Sequence, residues 1–253
     1  MAGSDSGGGA GIQADIKTIT VLGGYATSAI TALTAQNSKG VQRIFPVPAE
    51  FVARQMTSVL DDIGTDAIKT GMLANADIIR AVAGVLKAIP EIPLIVDPVM
   101  VATSGDRLLE PDAVEALKVD LIPKAALLTP NIPEAAALSG LNITTVDEMT
   151  RAAKALLDFG CDAVLVKGGH LEGAEISDLL CDKSGVEIFS HERIKTRHSH
   201  GTGCTLASAI AYYLASGMAL KKAVGLGREY VLKAMRSAPG FGAGNGPLGH
   251  TLK

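Results

Sequence analysis

SHGTGCTLASAIAYYLAS, residues 199–216, combines a glycine-rich turn with an apolar run long enough for about four helical turns. Gly201 and Gly203 bracket Thr202, and Cys204 follows directly. The first N–H groups of a helix have no partner within it and lie at the positive end of its dipole, so this turn predicts a site for an anion, above all phosphate. A helix terminus can also lower the pKa of a thiol, which would let Cys204 act as a base or nucleophile. The alternative is a tight turn into a core helix, with the cysteine as a small buried apolar residue.

The composition is that of an ordinary globular protein, and it limits what the chain can bind. The 253 residues are 47% hydrophobic and 19% charged, and no composition break, long linker or repeat divides them. We therefore expect a single α/β domain over residues 1–253. The net charge is −3 and no cluster of lysine and arginine stands out, which argues against a nucleic-acid groove.

The cysteines and the hydropathy pattern indicate where the protein works. Cys161, Cys181 and Cys204 are odd in number, far apart and without a CxxC pair, which argues against a disulfide framework and a zinc site. No window reaches the roughly 18 uninterrupted apolar residues of a membrane span. We expect a soluble protein of the reducing cytoplasm that binds no membrane.

Short β-branched runs alternate with amphipathic segments along most of the chain. The pattern predicts strands at residues 25–31, 67–70, 94–96, 127–129 and 163–167, and helices at residues 11–22, 50–62, 76–89, 111–119, 146–159, 202–216 and 220–236. Residues 176–181 and 186–190 are predicted to form an antiparallel hairpin at one sheet edge. Such alternation is typical of parallel strands joined by right-handed crossovers, with helices on both faces of the sheet.

Three segments depart from that pattern. GSDSGGGAG, residues 3–11, has the character of a loop that follows a first strand, but only Met1 and Ala2 precede it. We therefore expect the first strand to be missing or truncated. Residues 239–253 are rich in glycine and predict a disordered tail. Residues 101–107 are polar and contain glycine, which is typical of a mobile lid.

Polar side chains follow the predicted strands, at the sheet edge where ligands of open α/β folds bind. They are Gln36, Asn37, residues 70–72, Asp97, Asn131, Glu134 and Lys167. Each of them alone is explained by a turn or a helix cap. Together they match a nucleoside triphosphate: two carboxylates for Mg²⁺, a lysine for phosphate oxygens and a helix N-terminus for an anion.

Two other motifs do not indicate a function. Gly9, Gly11 and Ala14 fit GxGxxA loosely, yet no acidic residue lies about 20 residues later, which argues against a dinucleotide-binding fold. No GxxxxGK[ST] occurs, which excludes a P-loop. His198 and His200 have no third ligand in range, so exposed or capping histidines are favoured over a metal pair.

Seven motifs, in this order, carry a family resemblance: GSDSGGGAGIQADIKT, TALTAQNSKGV, KTGML, DPVMVATSGDRLL, LTPNIPEAAAL, VLVKGGH and HSHGTGCTLASAIA. They resemble the signatures of the hydroxymethylpyrimidine kinase / phosphomethylpyrimidine kinase family of thiamine biosynthesis, within the ribokinase-like superfamily. The resemblance covers nearly the whole chain. It implies a three-layer α/β/α fold with a mostly parallel central sheet. It also implies a kinase that uses ATP and Mg²⁺ to phosphorylate 4-amino-5-hydroxymethyl-2-methylpyrimidine and then its monophosphate. We further expect a homo-oligomer, specifically a dimer.

The resemblance implies a substrate slot and a nucleotide site. Gln36 would hydrogen-bond the edge of the aminopyrimidine, which suits a bidentate amide. The residues implied to pack around the ring are Gly3, Ala10, Met72 and Val99. Asp97 and Glu134 would hold Mg²⁺ directly or through water. The residues implied to contact the ATP phosphates are Asn131 and Lys167.

The resemblance also implies that Gly201, Thr202, Gly203 and Cys204 form the anion hole for the transferred phosphoryl group. Cys204 stands where most of the superfamily carries an aspartate base. In the second transfer the acceptor is already anionic, and a carboxylate facing it would repel it by up to roughly 4 kcal/mol at 4 Å and an effective dielectric constant near 20. We therefore hypothesise that a neutral thiol tolerates the charged acceptor while still assisting the alcohol. The alternative is that a small polarizable residue simply fits the turn.

Two other functions fit parts of the pattern. Pyridoxal or pyridoxine kinase shares the fold and takes similar heterocyclic alcohols, although GTGC together with TAQN favours the pyrimidine. A non-catalytic pyrimidine-binding protein would keep the pocket. It would need none of the phosphate-handling residues Asp97, Glu134, Lys167 and Cys204.

Overall fold

The computed structural model describes residues 1–101, 105–106 and 108–251. The strands in these residues are β1 (Ala2–Asp5), β2 (Ile30–Asn37), β3 (Gly40–Pro46), β4 (Ile68–Thr70), β5 (Leu94–Val96), β6 (Leu127–Leu128), β7 (Ala163–Val166), β8 (Glu175–Asp182) and β9 (Gly185–Glu192). The α-helices are α1 (Gly11–Leu22), α2 (Ala49–Leu60), α3 (Ala76–Leu86), α4 (Pro111–Ala116), α5 (Ile132–Ser139), α6 (Val146–Leu157), α7 (Thr202–Ala215) and α8 (Leu220–Arg236).

The strands form a mostly parallel central sheet in two hydrogen-bonded groups. Hydrogen bonds order them β3-β2-β1 in one group and β4-β5-β6-β7-β8-β9 in the other. Met1 joins the two groups, since its amino group donates to the Lys69 carbonyl at 2.6 Å and its carbonyl accepts from the Gly71 N–H at 2.9 Å. The antiparallel pairs are β2–β3, β7–β8 and β8–β9. The predicted parallel sheet with an antiparallel hairpin at one edge is confirmed.

Helices cover both faces of the sheet, because successive residues of a strand point to opposite faces. Ile95 packs into a cluster with α7 and α8, whereas its neighbour Val96 packs into a cluster with α2, α3 and α6. Both side chains are 0% exposed. The core therefore lies in two halves, and the molecule has the predicted three layers.

The first strand, which we expected to be missing or truncated, is present as β1. A missing first strand was the wrong expectation, because residues 3–5, taken as part of a loop, belong to the short strand Ala2–Asp5. Glycine, serine and aspartate have weak strand preference, but β2 pairs with Ala2, Ser4 and Asp5 and supplies their backbone partners. Gly3 suits this tight position, since a methyl group there would lie 3.2 Å from Met72 Sδ.

Two further elements differ from the sequence pattern. The second strand is Ile30–Asn37 instead of residues 25–31, and it turns at residues 38–39 into the antiparallel β3, which was not predicted. A short helix, α5, follows Asn131 and was also not predicted. The remaining predicted helices and strands end within three residues of the observed ones.

The glycine-rich tail is folded through residue 251, so the predicted disorder is wrong for the described part of it. The carbonyl of Gly246 accepts from the N–H of His200 at 3.1 Å. The hydroxyl of Tyr230 donates to the carbonyl of His250 at 2.8 Å, and Leu248 is 3% exposed. Close approach to the body of the protein explains the glycines, because a methyl group at Gly246 would overlap the ring of His198.

Two other predictions concern the outer parts of the molecule. The predicted lid, residues 101–107, lies largely outside the described residues. Among the helices of the described part, none combines the length and the apolar composition that a bilayer crossing requires.

Candidate active site

One cavity brings together the residues predicted for the substrate, nucleotide, metal and anion sites, whereas Asn37, Thr70 and Gly71, also named at strand ends, do not line it. It has a volume of about 820 Å³ and lies beside the carboxyl ends of β1, β2, β5 and β7 and the start of α7. Its lining includes Gly3, Ala10, Gln36, Met72, Val99, Asp97, Asn131, Glu134, Lys167, Gly201, Thr202, Gly203 and Cys204. A second cavity, of about 130 Å³, contains none of them.

The N-terminus of α7 opens into this cavity without a side-chain cap. Gly201 precedes the helix in the left-handed region, at φ 84°, and a methyl group there would overlap the carbonyl oxygen of Gly9. Only glycine fits both conditions. The hydroxyl of Thr202 donates to the carbonyl of Ser199 and therefore does not cap the helix. The first turn of α7 thus has the properties of an anion site.

A buried ion pair faces this helix end. Lys167 Nζ lies 2.7 Å from Asp97 Oδ1, and the Thr129 hydroxyl donates to the same oxygen at 3.0 Å. Burial alone would lower the pKa of Lys167, but the negative charges of Asp97 and Glu134 outweigh it and raise that pKa, so the ammonium is charged at neutral pH. A methyl group on Gly203 would lie 3.2 Å from Lys167 Nζ and 3.6 Å from Asp97 Oδ2. Helix amides, a cation and a carboxylate therefore surround one space.

Glu134 combines a helix-capping role with an altered acidity. Its backbone N–H donates to Asn131 Oδ1 at 2.9 Å and its carboxylate accepts from the Asn131 N–H at 2.8 Å, which makes a capping box at the start of α5. The cap that the sequence left open as an alternative is therefore present. Burial raises the pKa of Glu134 to about 7, an effect that the charge of Lys167 opposes and the charge of Asp97 reinforces. A carboxyl group with this pKa is readily ionised when a cation binds.

Asp97 and Glu134 are the oxygen donors that a hard cation would meet in this part of the cavity. They are neighbours, since the charge of Asp97 contributes to the raised pKa of Glu134. Over residues 1–101, 105–106 and 108–251, no group of three or more His, Cys, Asp and Glu side chains is arranged to hold a metal. Mg²⁺ commonly binds through one or two carboxylates together with water and substrate phosphates. The pair therefore fits a Mg²⁺ ion that arrives with a nucleotide.

The opposite wall holds an aspartate–histidine pair that the sequence patterns did not single out. Asp5 Oδ2 lies 2.9 Å from His200 Nε2, which in turn lies 3.2 Å from the amide nitrogen of Gln36. Three backbone N–H groups also donate to Asp5 at 2.7–2.9 Å, those of Gly7, Gly9 and Ala10. Burial alone would raise the pKa of Asp5, but the hydrogen bonds with His200, Ala10 and Gly7 lower it overall.

The sequence favoured an exposed or capping histidine at position 200. In the structure His200 is neither exposed nor a simple cap. Its side chain is 12% exposed and joins Asp5, at the end of β1, to the turn before α7. A polar residue at the carboxyl end of a strand is the pattern that identified Asp97. Asp5 was missed because no first strand was expected in front of it.

Cys204 does not have the acidic thiol that a helix terminus predicts. Burial raises its pKa to about 11; the charge of Lys69 lowers it, and the charges of Asp15 and Asp97 raise it further. The predicted lowering is wrong, and the thiol is protonated at neutral pH. Lys69 and Asp15 form a buried ion pair at 2.9 Å, and the hydroxyl of Ser208 in α7 donates to Asp15 at 2.7 Å.

Comparison with known sequences identifies the family. The family model described as Phosphomethylpyrimidine kinase matches residues 5–249. The chain belongs to the phosphomethylpyrimidine kinase family. The resemblance that the sequence motifs carry is thereby confirmed.

Two curated relatives of the kinase family show how far the likeness extends. The chain is 49% identical over 252 residues to the thiamine biosynthesis bifunctional protein ThiED of Geobacter sulfurreducens; the match takes in 100% of this chain and 51% of that protein, so the chain spans about half the length of that relative. It is 48% identical over 250 residues to the hydroxymethylpyrimidine/phosphomethylpyrimidine kinase of Streptomyces coelicolor, with 99% of this chain and 92% of that protein covered.

Solved structures of similar kinases confirm the ribokinase-like α/β fold. The phosphomethylpyrimidine kinase (thiD) of Clostridium difficile 630 superimposes with a TM-score of 0.82 at 43% identity, covering 92% of this chain and 96% of that one. The ADP complex of Bacillus subtilis pyridoxal kinase superimposes with a TM-score of 0.92 at 36% identity, covering 99% of this chain and 96% of that one.

Gly203→Ala tests whether the space in front of α7 is used. Alanine is favoured over glycine inside a helix by about 1 kcal/mol. We therefore expect the free energy of unfolding of the variant to differ from that of the wild type by no more than this amount. Its methyl group would occupy the space beside Lys167 Nζ, and we expect kinase activity to fall by roughly 100-fold or more. The control is Gly84→Ala in α3, where an added methyl group meets no atom within 4 Å. Equal activity in the two variants would contradict the assignment of this space.

Glu134→Gln tests the raised pKa. Glutamine keeps the capping acceptor but cannot ionise. The folded-state pKa of about 7 lies above the ordinary value of 4.5, so the stability from this group is fully present below pH 4.5 and is lost as the pH rises through 7. In metal-free buffer we expect the variant to match the wild type at pH 4.5 and to be more stable by roughly 3 kcal/mol at pH 8, measured by urea unfolding. The same difference at both pH values would show that Glu134 titrates normally.

Proposed function

We propose that this protein transfers the γ-phosphoryl group of ATP to the hydroxyl of 4-amino-5-hydroxymethyl-2-methylpyrimidine, and then a second phosphoryl group to the monophosphate. The observation that carries the proposal is the convergence of the uncapped start of α7 on the Lys167–Asp97 pair around Gly203. The name of the Streptomyces relative supports both acceptors. In each transfer the acceptor oxygen bonds to the γ-phosphorus while the bond to the ADP oxygen breaks.

The nucleotide end of the cavity suits ATP bound with Mg²⁺. Lys167 would contact phosphate oxygens together with Asn131, whose side-chain N–H groups stay available because its oxygen is used in the cap. Asp97 and Glu134 would hold the metal directly or through water. Bound there, Mg²⁺ supplies positive charge for the oxygens of the transferred group. The ADP complex of the Bacillus pyridoxal kinase supports a nucleotide in this fold.

The other end of the cavity suits a small flat heterocycle with a polar edge. Gln36, whose amide nitrogen lies 3.2 Å from His200 Nε2, would pair with the aminopyrimidine edge. The small or apolar residues that would enclose the ring are Gly3, Ala10, Met72 and Val99. The contact between Asp5 and His200 would fix the position of this wall next to the anion hole of residues 201–204.

Cys204 would serve both transfers as a neutral group. Its raised pKa keeps the thiol protonated at neutral pH, so it adds no negative charge in front of the anionic second acceptor. Phosphoryl transfer has a loose transition state and depends mainly on positioning and charge neutralisation. A strong base at this position is therefore unnecessary, and the alcohol proton of the first transfer can pass to solvent or to phosphate.

Pyridoxal kinase activity is the second candidate, favoured by the TM-score of 0.92 with the Bacillus enzyme. The relatives at 48–49% identity are named for thiamine biosynthesis or pyrimidine kinase activity, whereas that enzyme is 36% identical, so the pyrimidine comes first. A non-catalytic binding protein is disfavoured. Burying Lys167 and Asp97 costs several kcal/mol of desolvation, and a pyrimidine binder has no use for the pair.

The proposal includes the setting of the enzyme: a single domain over residues 1–253, in the cytoplasm, as a homodimer. The free thiols of Cys161, Cys181 and Cys204 suit a reducing compartment. Leu33 and Phe45 pair across the β2–β3 hairpin and are 48% and 63% exposed, which offers an apolar face for a second copy. A monomer mass by light scattering would contradict the dimer.

Product analysis with two alcohols tests the function. With ATP, Mg²⁺ and the pyrimidine alcohol, we expect ADP to form and mass spectrometry to show first a monophosphate and then a diphosphate. With pyridoxal we expect a minor rate, because Gln36 is matched to an aminopyrimidine edge. Reactions without an alcohol control for ATP hydrolysis. Pyridoxal phosphate as the main product would make the second candidate right, and no phosphorylated product with either alcohol would remove the kinase proposal.

Cys204→Asp tests the neutral thiol. We expect the second transfer to slow by roughly one to three orders of magnitude, since repulsion of up to about 4 kcal/mol acts on the anionic acceptor. The first transfer, to the uncharged alcohol, should change much less. Cys204→Ser is the matched control, because its hydroxyl is small and neutral and should preserve the ratio of the two rates. Undiminished turnover of the monophosphate by the aspartate variant would contradict the hypothesis.

A further inference from the structure

Residues 168–174 form the loop that follows Lys167. Gly169 and His170 of this loop line the large cavity, and so does Arg193, which is hydrogen-bonded to the loop. Arg193 lies directly after β9 and directs its whole guanidinium group at this loop. The side-chain nitrogens donate to the carbonyls of Gly173 at 2.9 Å, Gly169 at 3.0 Å and Leu171. Its backbone N–H donates to the carbonyl of Ala174 at 2.7 Å. One residue therefore fixes four carbonyl groups of the loop.

A buried ion pair anchors the first residue of the same loop. Asp178 in β8 accepts from the Gly168 N–H at 2.9 Å and from Arg228 Nε in α8 at 2.7 Å. Arg228 Nη2 also lies 2.8 Å from both the carbonyl oxygen of Phe189 and the Nδ1 atom of His191. Asp178 and Arg228 are 7% and 9% exposed. We call Asp178, Arg193 and Arg228 the loop clamp.

The pairing of the loop carbonyls with Arg193 has an electrostatic consequence. A carbonyl oxygen carries partial negative charge, so one that faced the cavity would repel a polyphosphate. Arg193 draws those of Gly169, Leu171 and Gly173 to itself and compensates them with a full positive charge. A buried Asp–Arg pair is not the most stable way to fill an interior, because apolar residues of similar volume are often as good. Its value here lies in fixing the backbone next to Lys167.

We propose that the loop clamp positions residues 168–174 for nucleotide binding, by pairing their carbonyl oxygens with the Arg193 guanidinium and fixing the backbone that follows Lys167. The inference rests on the proposed function, since it assigns this wall to ATP. The three residues act through the loop and are positioning residues. Their loss should lower the affinity for the nucleotide and leave the affinity for the pyrimidine alcohol unchanged.

Arg193→Lys and Arg193→Gln test the clamp in the full-length protein. A lysine keeps the charge but cannot reach three carbonyls, so we expect both variants to bind a non-hydrolysable ATP analogue roughly tenfold more weakly by calorimetry. KM for ATP should rise by a similar factor, while KM for the pyrimidine alcohol stays within about twofold. The control is Arg197→Lys, since Arg197 is exposed and its guanidinium makes, among the described residues, one long hydrogen bond of 3.5 Å to the Gly242 carbonyl.

Arg228→Lys tests the anchor independently. The ammonium can still pair with Asp178 but cannot also reach Phe189 and His191, so we expect the same selective rise in KM for ATP. If the Arg193 and Arg228 variants bind the ATP analogue with a Kd within about twofold of the wild-type value, the proposed role of the clamp is wrong. A parallel rise of both KM values together with a lower melting temperature also overturns it, because that is the effect of a merely structural role. A wild-type protein that binds no nucleotide overturns the proposed function and the clamp together.

Discussion

The arrangement of this protein depends on one constraint: the first turn of α7 faces the ends of β5 and β7 without a side-chain cap. Gly201 makes this possible, because its left-handed backbone packs directly against the carbonyl of Gly9. The start of α7 and the loop after β1 therefore interlock. The His200–Asp5 contact at 2.9 Å joins the same two segments a second time. The position of the proposed anion hole is thus set by β1, a strand that is hard to recognise in the sequence.

Charge pairing is the second common feature of the site. Three pairs with little exposed surface join different elements around the cavity: Asp5–His200, Asp97–Lys167 and Asp178–Arg228, at 2.7–2.9 Å. Such pairs seldom add stability over apolar packing, so their placement is better explained by the anionic ligands that the cavity suits. The site therefore holds little uncompensated negative charge. The protonated thiol of Cys204 and the Glu134 carboxyl group, which ionises near neutral pH, agree with this.

Much of this could be predicted from the sequence, and the failures have physical reasons. The α/β alternation predicted the layers because buried strands such as LIV at 94–96 and amphipathic helices such as α8 have distinct periodicities. Polar residues at strand ends predicted Asp97 and Lys167, which are paired in the structure. Asp5 was missed because Gly3 and Ser4 have weak strand preference and gain their pairing from β2. The acidity of Cys204 was misjudged because burial, which no local pattern reveals, outweighs the helix terminus. The loop contacts of Arg193 join distant segments and have no sequence pattern at all.

A crystal structure with a non-hydrolysable ATP analogue, Mg²⁺ and the pyrimidine alcohol tests the central claim most directly. The quantity to measure is the distance from the terminal phosphate oxygens to the backbone nitrogens of Gly203 and Cys204. We predict hydrogen bonds of about 3 Å, with the alcohol on the far side of the phosphate beside Gln36. A complex in which those nitrogens are bonded to protein atoms, with the phosphate elsewhere, would contradict the anion hole and the function inferred from it.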